Sequence, residues 1–348
     1  MEFGLFTLFD FYDGQNERDY YRETLDLAIL GEDLGYESIW MGEEHFYAFG
    51  ICPSPQIFLT AVAQRTERIR LGTAISLLPM EHPVRKAEDF AMLDLLCEGR
   101  LDFGVGRGSI TKHFQGFNVD PAESRQRYEE SLAIIKKSWT EESFSYDGEF
   151  WQIPEVSVSP KPVQTPHPPI YRGTVSMEAY EQAARVGDNA FVVPWTTGPH
   201  SEIRDRLDVY RSLTRESGHP KGRETSIFFL FIGADHQAAH REAVEVTRKY
   251  SQHITGYSVA RDPSKDLKSG LFKLQEWITS IPENVEERAI VGTPAECIRR
   301  LEELHDELGL DRVAFYIHPG GRDIVSARKG MELFAQEVMP HFAEMLVS

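Results

Sequence analysis

Short β-rich runs alternate with longer amphipathic runs along most of the chain. A strand turns successive side chains to opposite faces, whereas a helix repeats about every 3.6 residues, so the two periods separate the elements. The pattern predicts eight strands: Glu2–Phe9, Ser38–Gly42, Ile69–Ser76, Leu101–Gly106, Pro169–Thr174, Asn189–Pro194, Ser226–Gly233 and Arg312–His318. Each but the last is followed, sooner or later, by a helical stretch, and the last by a terminal helix near Ile324–Leu346. Asp19–Leu34 sets Leu25, Ala28, Ile29 and Glu32 at helical spacing and stops at Gly35, a residue suited to a left-handed helix end. Ser54–Arg65 and Pro83–Cys97 follow the same logic, with Pro83 fitted to a first turn. Pro294–Leu308 opens behind Thr293, and Glu296 stands at capping-box spacing from it.

Alternation of this kind implies parallel strands joined by right-handed crossovers. Eight such units close into a single (β/α)8 TIM barrel over residues 1–348, with an open doubly wound sheet as the alternative. Two stretches exceed an ordinary loop. After strand four, Ser143–Val163 holds the hairpin turn Tyr146-Asp147-Gly148-Glu149 and leads through a proline-rich run to Pro168-Pro169. After strand seven, Ile254–Arg288 is polar with scattered apolar residues and Trp277, so a mobile insertion or lid is expected over 254–290.

Composition narrows the class. The 348 residues are 41% apolar, enough for a large core, yet no apolar run is long enough for a transmembrane helix. Met1–Phe6 carries no basic leader and reads as a strand, not a signal peptide. A net charge of −18 disfavours nucleic acid and anionic membranes as partners. Cys52, Cys97 and Cys297 are scattered and odd in number, as expected of reduced thiols in a cytoplasmic protein.

In this architecture catalytic groups stand at the C-terminal strand ends. Strand two ends in Glu43-Glu44-His45-Phe46, three ionisable groups suited to acid–base work or to tying down a loop. Strand three offers the small run Gly72-Thr73-Ala74-Ile75-Ser76, against which a flat ligand could lie, or a tightly packed corner. Strand four ends in Gly104-Val105-Gly106-Arg107-Gly108-Ser109. It lacks the third glycine of a dinucleotide fingerprint and a closely following helix, but with Arg107 it suits either an anion such as phosphate or a structural salt bridge. After strand five, Val175-Ser176 precede a helix whose free amides also suit phosphate. Trp195 after strand six either flanks a planar ring or is ordinary packing, and His318-Pro319-Gly320-Gly321 after strand eight is either a close-approach site or a turn. The aromatics Phe6, Phe9, Phe11, Tyr12, Phe46, Tyr47 and Phe49 read equally as an apolar cavity or as core. No His-x-His pair supports a metal hydrolase, and no Gly-x-Ser-x-Gly supports a serine nucleophile.

These residues resemble the bacterial luciferase-like family of flavin-dependent monooxygenases. The resemblance is carried by Glu43-Glu44-His45-Phe46-Tyr47-Ala48-Phe49-Gly50, by the run Leu78 to Asp89, by Gly99 to Gly108 and by Val291 to Glu296, in order and at matching spacing. It implies a barrel that binds reduced FMN, delivered by a separate flavin reductase, and uses oxygen through a C4a-(hydro)peroxyflavin to oxygenate a small organic substrate. By that resemblance, His45 and Glu44 manage protons. Arg107 and Ser176 contact the flavin phosphate, Gly108, Ser109 and Val175 also belong to the cofactor site, and Trp195 lies near the ring. Thr73, Ala74 and Ile75 lie under the ring, with a non-proline cis bond at Ala74-Ile75. A homodimer and no metal are expected. Three positions depart from the luciferase α chain: Glu44 replaces a histidine, Gly106 a cysteine and Val175 an acidic residue. The departures argue against light emission from an aldehyde. They leave a deazaflavin-dependent oxidoreductase, or a non-catalytic flavin-binding subunit resembling the luciferase β chain, as alternatives.

Overall fold

The computed structural model describes residues 1–46, 50–194, 199–258 and 280–345. Its strands are β1 (Glu2–Thr7), β2 (Ser38–Met41), β3 (Arg70–Thr73), β4 (Ser76–Leu77), β5 (Leu101–Gly106), β6 (Phe144–Asp147), β7 (Gln152–Val156), β8 (Ile170–Thr174), β9 (Asn189–Val192), β10 (Glu224–Ile232), β11 (Ala289–Gly292) and β12 (Arg312–Tyr316). Eight of them pair in parallel as a closed ring, β1-β2-β3-β5-β8-β9-β10-β12 and back to β1. The (β/α)8 barrel is therefore what the alternation predicted.

Alternation along each strand sorts the core into two layers. Leu5, Phe228 and Phe315 face outward and pack against the helices, while Phe6, Phe229 and Tyr316 face inward. The inner layer is aromatic, with Trp40 in edge contact with both Tyr171 and Phe191. Filling the barrel with large rings requires missing side chains opposite them: a Cβ at Gly72 would meet Cε3 of Trp40 at 1.9 Å, and one at Gly104 would meet the Thr73 carbonyl at 1.7 Å.

Helix ends follow the local signals. Asn16 caps the helix Glu17–Asp33, accepting from the Asp19 N–H, so it starts two residues earlier than its apolar spacing suggested. Gly35 takes φ +88, and the Thr293/Glu296 capping box is formed. The terminal helix is two helices, Ile324–Glu337 and Met339–Met345, because Pro340 has no N–H to continue the first.

Three further differences bear on the mouth. The predicted strand Ile69–Ser76 is broken at Ala74-Ile75 into β3 and β4. A helix does follow β5, the short segment Thr111–Gly116. The third difference lies in the segment expected as an insertion, 254–290. It begins inside the helix His236–Ser258 and ends in the helix Val285–Arg288 and in β11, while 259–279, with Trp277, lies outside the described residues. β11 covers the β10 edge from Phe229 to Ile232, which β9 leaves bare by pairing only with Glu224–Ser226. The insertion after strand four forms the antiparallel hairpin β6–β7.

Candidate active site

β2 delivers Glu43, Glu44 and His45 to the C-terminal mouth, and their side chains separate as strand parity requires. Glu43 is buried. Its Oε2 accepts from Lys86 Nζ at 2.6 Å, Ser76 Oγ at 2.7 Å and the Leu77 N–H at 3.2 Å. Burial would raise this carboxyl, but the Lys86 ammonium and the hydrogen bonds from His45, Lys86 and Ser76 outweigh it and hold Glu43 down at about 2. An ionised carboxylate only accepts, so His45 Nε2 carries the proton it shares with Glu43 Oε1 at 3.1 Å. Glu43 is thus an anchor that orients His45, and no proton carrier near neutral pH. Glu44 turns the other way, with Oε2 3.2 Å from Nε2 of His113 on the helix Thr111–Gly116. Gly50 makes room for it, since a Cβ there would lie 2.5 Å from the Glu44 stem.

Beside this cluster the Ala74–Ile75 peptide is cis, as the resemblance implied, and both residues are half-buried at the mouth. Glycines wall Ile75: a Cβ at Gly106 would meet its Cδ1 at 1.9 Å and one at Gly173 at 3.4 Å. Thr73 is fully buried, and its hydroxyl donates to the Gly104 carbonyl at 2.6 Å.

At the end of β5, Arg107 lies within electrostatic reach of Glu178 in the first turn of the helix Met177–Val186, while Gly108 neighbours Leu77 and Met80. Ser176 caps that helix by accepting from the Ala179 N–H, and Val175 is exposed beside it. Three guanidiniums crowd this corner, but two are occupied. Arg125 pairs with Glu178 at 2.6 Å, and Arg172 with Asp188 at 2.7 Å and Glu129 at 3.0 Å. Arg107 has no ion pair among the described residues. Partial burial and then the like charge of Arg125 push it below the usual arginine range. A cation without an ion pair among the described residues, near a helix N-terminus, suits a phosphate, and the glycine-walled platform of Ile75 suits a flat ring.

Trp195, Tyr47 and Phe49 lie outside the described residues. Phe6 and Phe9 are core, whereas Phe46 is exposed. Gly320 and Gly321, with φ +62 and +69, form a turn whose Gly320 N–H donates to Asp10 at 2.7 Å. Sequence reasoning missed Lys86, His113 and Asp10. A helix-face lysine, a lone histidine and a loop aspartate look like ordinary polar residues until the fold brings their partners to them.

Asp10 also accepts from Tyr316 Oη at 2.9 Å, and burial, partly offset by these bonds, lifts it from 3.8 to about 7. The folded protein therefore keeps a proton there that the unfolded chain releases. The stability from this group is present at acid pH and is lost as pH rises from about 4 to about 7. Asp10→Asn imitates the protonated acid. Its gain in stability over the parent is expected to grow across that window to about 2 kcal/mol or more, then stay flat. Thermal unfolding at stepped pH measures this, and a pH-independent difference would refute it. His318 nearby is fixed by Tyr20 Oη at 2.8 Å and Thr24 Oγ1 at 3.2 Å, and burial lowers it to about 4, so it is a neutral structural residue.

The sequence profile described as luciferase-like monooxygenase matches residues 1–312. The oxygenase component of the flavin-dependent trigonelline monooxygenase of Acinetobacter baylyi is 28% identical, covering 100% of this chain and 97% of its own length. Among solved structures, the monooxygenase RslO1 from Streptomyces bottropensis superposes with a TM-score of 0.86 at 26% identity, over 98% of this chain and 100% of its own. The oxygenating constituent of 3,6-diketocamphane monooxygenase from Pseudomonas putida, solved with FMN, gives a TM-score of 0.81 at 20% identity, over 98% of each chain.

Proposed function

The chain belongs to the luciferase-like monooxygenases, flavin-dependent oxidoreductases, and from that premise we propose that it is the oxygenase component of a two-component system that uses reduced FMN and oxygen on a small organic substrate. The observation that carries the reading is Arg107, a cation with no ion pair among the described residues, beside the Ser176-capped helix and within one mouth of Glu44 and His45.

Arg107 and the free amides after Ser176 would hold the phosphate. Gly108, Ser109 and Val175 would line its approach, the Thr73-Ala74-Ile75 backbone would support the ring, and Trp195 would flank it. Reduced flavin, supplied by a separate reductase, brings the oxygen-activating chemistry, with the C4a-(hydro)peroxy adduct as oxygen donor. The chain's own work is to exclude water from the aromatic barrel mouth and to handle protons through His45, held by Glu43, and Glu44.

Anaerobic titration with reduced FMN, followed by mixing with oxygen and a panel of aldehydes, sulfonates, aromatics and amines, tests the reading. Tight binding, a stabilised adduct spectrum and a product heavier by one oxygen are expected. Preference for a deazaflavin would instead favour hydride transfer, and binding with no turnover a silent subunit.

A homodimer belongs to the same proposal. Ile57 on the helix Pro55–Ala63 and Met92, Leu95 and Leu96 on the adjacent helix Pro83–Leu96 are exposed. Apolar residues grouped this way mark an interaction face. Sedimentation at twice the chain mass is expected, reduced to the chain mass by Met92→Glu with Leu95→Glu; a parent that sediments as a monomer would remove the dimer.

A further inference from the structure

We propose that His113 is the proton partner of Glu44, and that the two act as an imidazole–carboxylate pair at the end of β2. The use made of the proton rests on the monooxygenase reading above; the pair itself rests on geometry.

Both residues are almost wholly buried, His113 at 2% and Glu44 at 8% exposure, and their Nε2 and Oε2 atoms stand 3.2 Å apart. Burial of this kind is costly for a charge unless a partner compensates it. The same Nε2 is also 3.2 Å from the main-chain N–H of His45. One ring nitrogen cannot donate to Glu44 and accept from His45 at once. The pair therefore has two hydrogen-bonded forms. In one, His113 Nε2–H donates to an ionised Glu44. In the other, the Nε2 lone pair accepts the His45 N–H, and the proton resides on Glu44 or has left the pair. A proton gained or lost at Glu44 is thus coupled to the backbone of His45, whose ring is separately fixed by Glu43.

Among the described residues, the groups near the imidazole include Glu44 and His45 from the β2 end, with the His45 ring edge-on at 5.7 Å, and Glu43 and Lys86 behind His45. Since Glu43 stays ionised and its proton sites are consumed by Lys86, Ser76 and His45, the Glu44–His113 pair is the exchangeable member of the cluster. His113 also follows Arg107 in the same loop and helix, so the pair joins the phosphate corner to the proton-handling strand end. His113 is a positioning residue that acts through Glu44.

The test uses full-length protein with His113→Gln, Glu44→Gln, both together, and the exchanged variant Glu44→His with His113→Glu. Without flavin, proton NMR should show a slowly exchanging imidazole N–H that disappears in both single variants and returns in the exchanged one. With reduced FMN, binding should change by less than about threefold in the single variants. Turnover should fall at least about tenfold in each, lose the same limb of its pH profile in each, and fall no further in the double variant. An imidazole signal that survives Glu44→Gln, losses that multiply in the double variant, or slower turnover with an unchanged pH profile would overturn the pair and leave His113 a structural tie. If the parent oxygenates nothing, the monooxygenase reading fails, while the NMR signal still decides the pair.

Discussion

Arg107→Ala is expected to weaken binding of reduced FMN by about a hundredfold or more, roughly 2.7 kcal/mol, while leaving binding of reduced riboflavin almost unchanged. The size follows from the surrounding charges. A charge-assisted, bidentate guanidinium–phosphate contact is among the stronger hydrogen-bonded interactions. The neighbours offer no replacement, because Arg125 is committed to Glu178 and Arg172 to Asp188 and Glu129. What remains in the variant is the Ser176-capped helix end, worth about 1 kcal/mol for an anion in the open. Arg107→Lys keeps the charge without the planar fork and should fall between the two. Anaerobic fluorescence titrations with both flavins separate the phosphate from the ring. Equal losses for FMN and riboflavin would show that Arg107 shapes the pocket and does not hold phosphate.

The barrel and the position of its mouth were legible in the sequence because period-two runs such as Leu101–Gly106 and Arg312–Tyr316 are bounded by glycine, proline and caps that read locally. β11 was not, because Ala289–Gly292 is a four-residue run next to polar sequence, and its strand character comes from the open edge of β10. The site divides in the same way. Arg107, Ser176 and the Glu43–His45 run are visible because position along the barrel marks them. Lys86 and His113 become functional candidates only through contacts spanning 43 and 69 residues, here Lys86 with Glu43 and His113 with Glu44. Strand parity, which turns alternate residues to opposite sides, leaves Glu44 and His45 free to face apart. It could not say that Glu43 would be the ionised anchor, since that depends on a helix arriving from elsewhere with a lysine on its buried face.

That lysine carries the largest stability effect expected in the molecule. Lys86→Met should destabilise the protein by about 3–5 kcal/mol, because it strands Glu43 as a buried charge without its cation. In the parent, Glu43 titrates at about 2, below the ordinary 4.5, so its contribution is fully present above about 4.5 and fades as pH falls toward 2. Without the ammonium, burial is the leading influence and raises the carboxyl instead; stability from the group is then present at acid pH and lost as pH rises. The gap between parent and variant must therefore be smallest at about pH 2, widen through the acid range, and level off once the variant's Glu43 ionises. Glu43→Gln alone should cost less, since Lys86 keeps Glu81 at 3.2 Å. Combining the two substitutions should recover much of the loss by removing both charges together. Unfolding midpoints of the three variants across pH decide it. A gap that does not depend on pH, or a double variant as unstable as the sum of the singles, would mean that Lys86 supports the fold through packing of its stem. In that case His45 would keep its Glu43 contact, and turnover in Lys86→Met would hold wherever the protein stays folded.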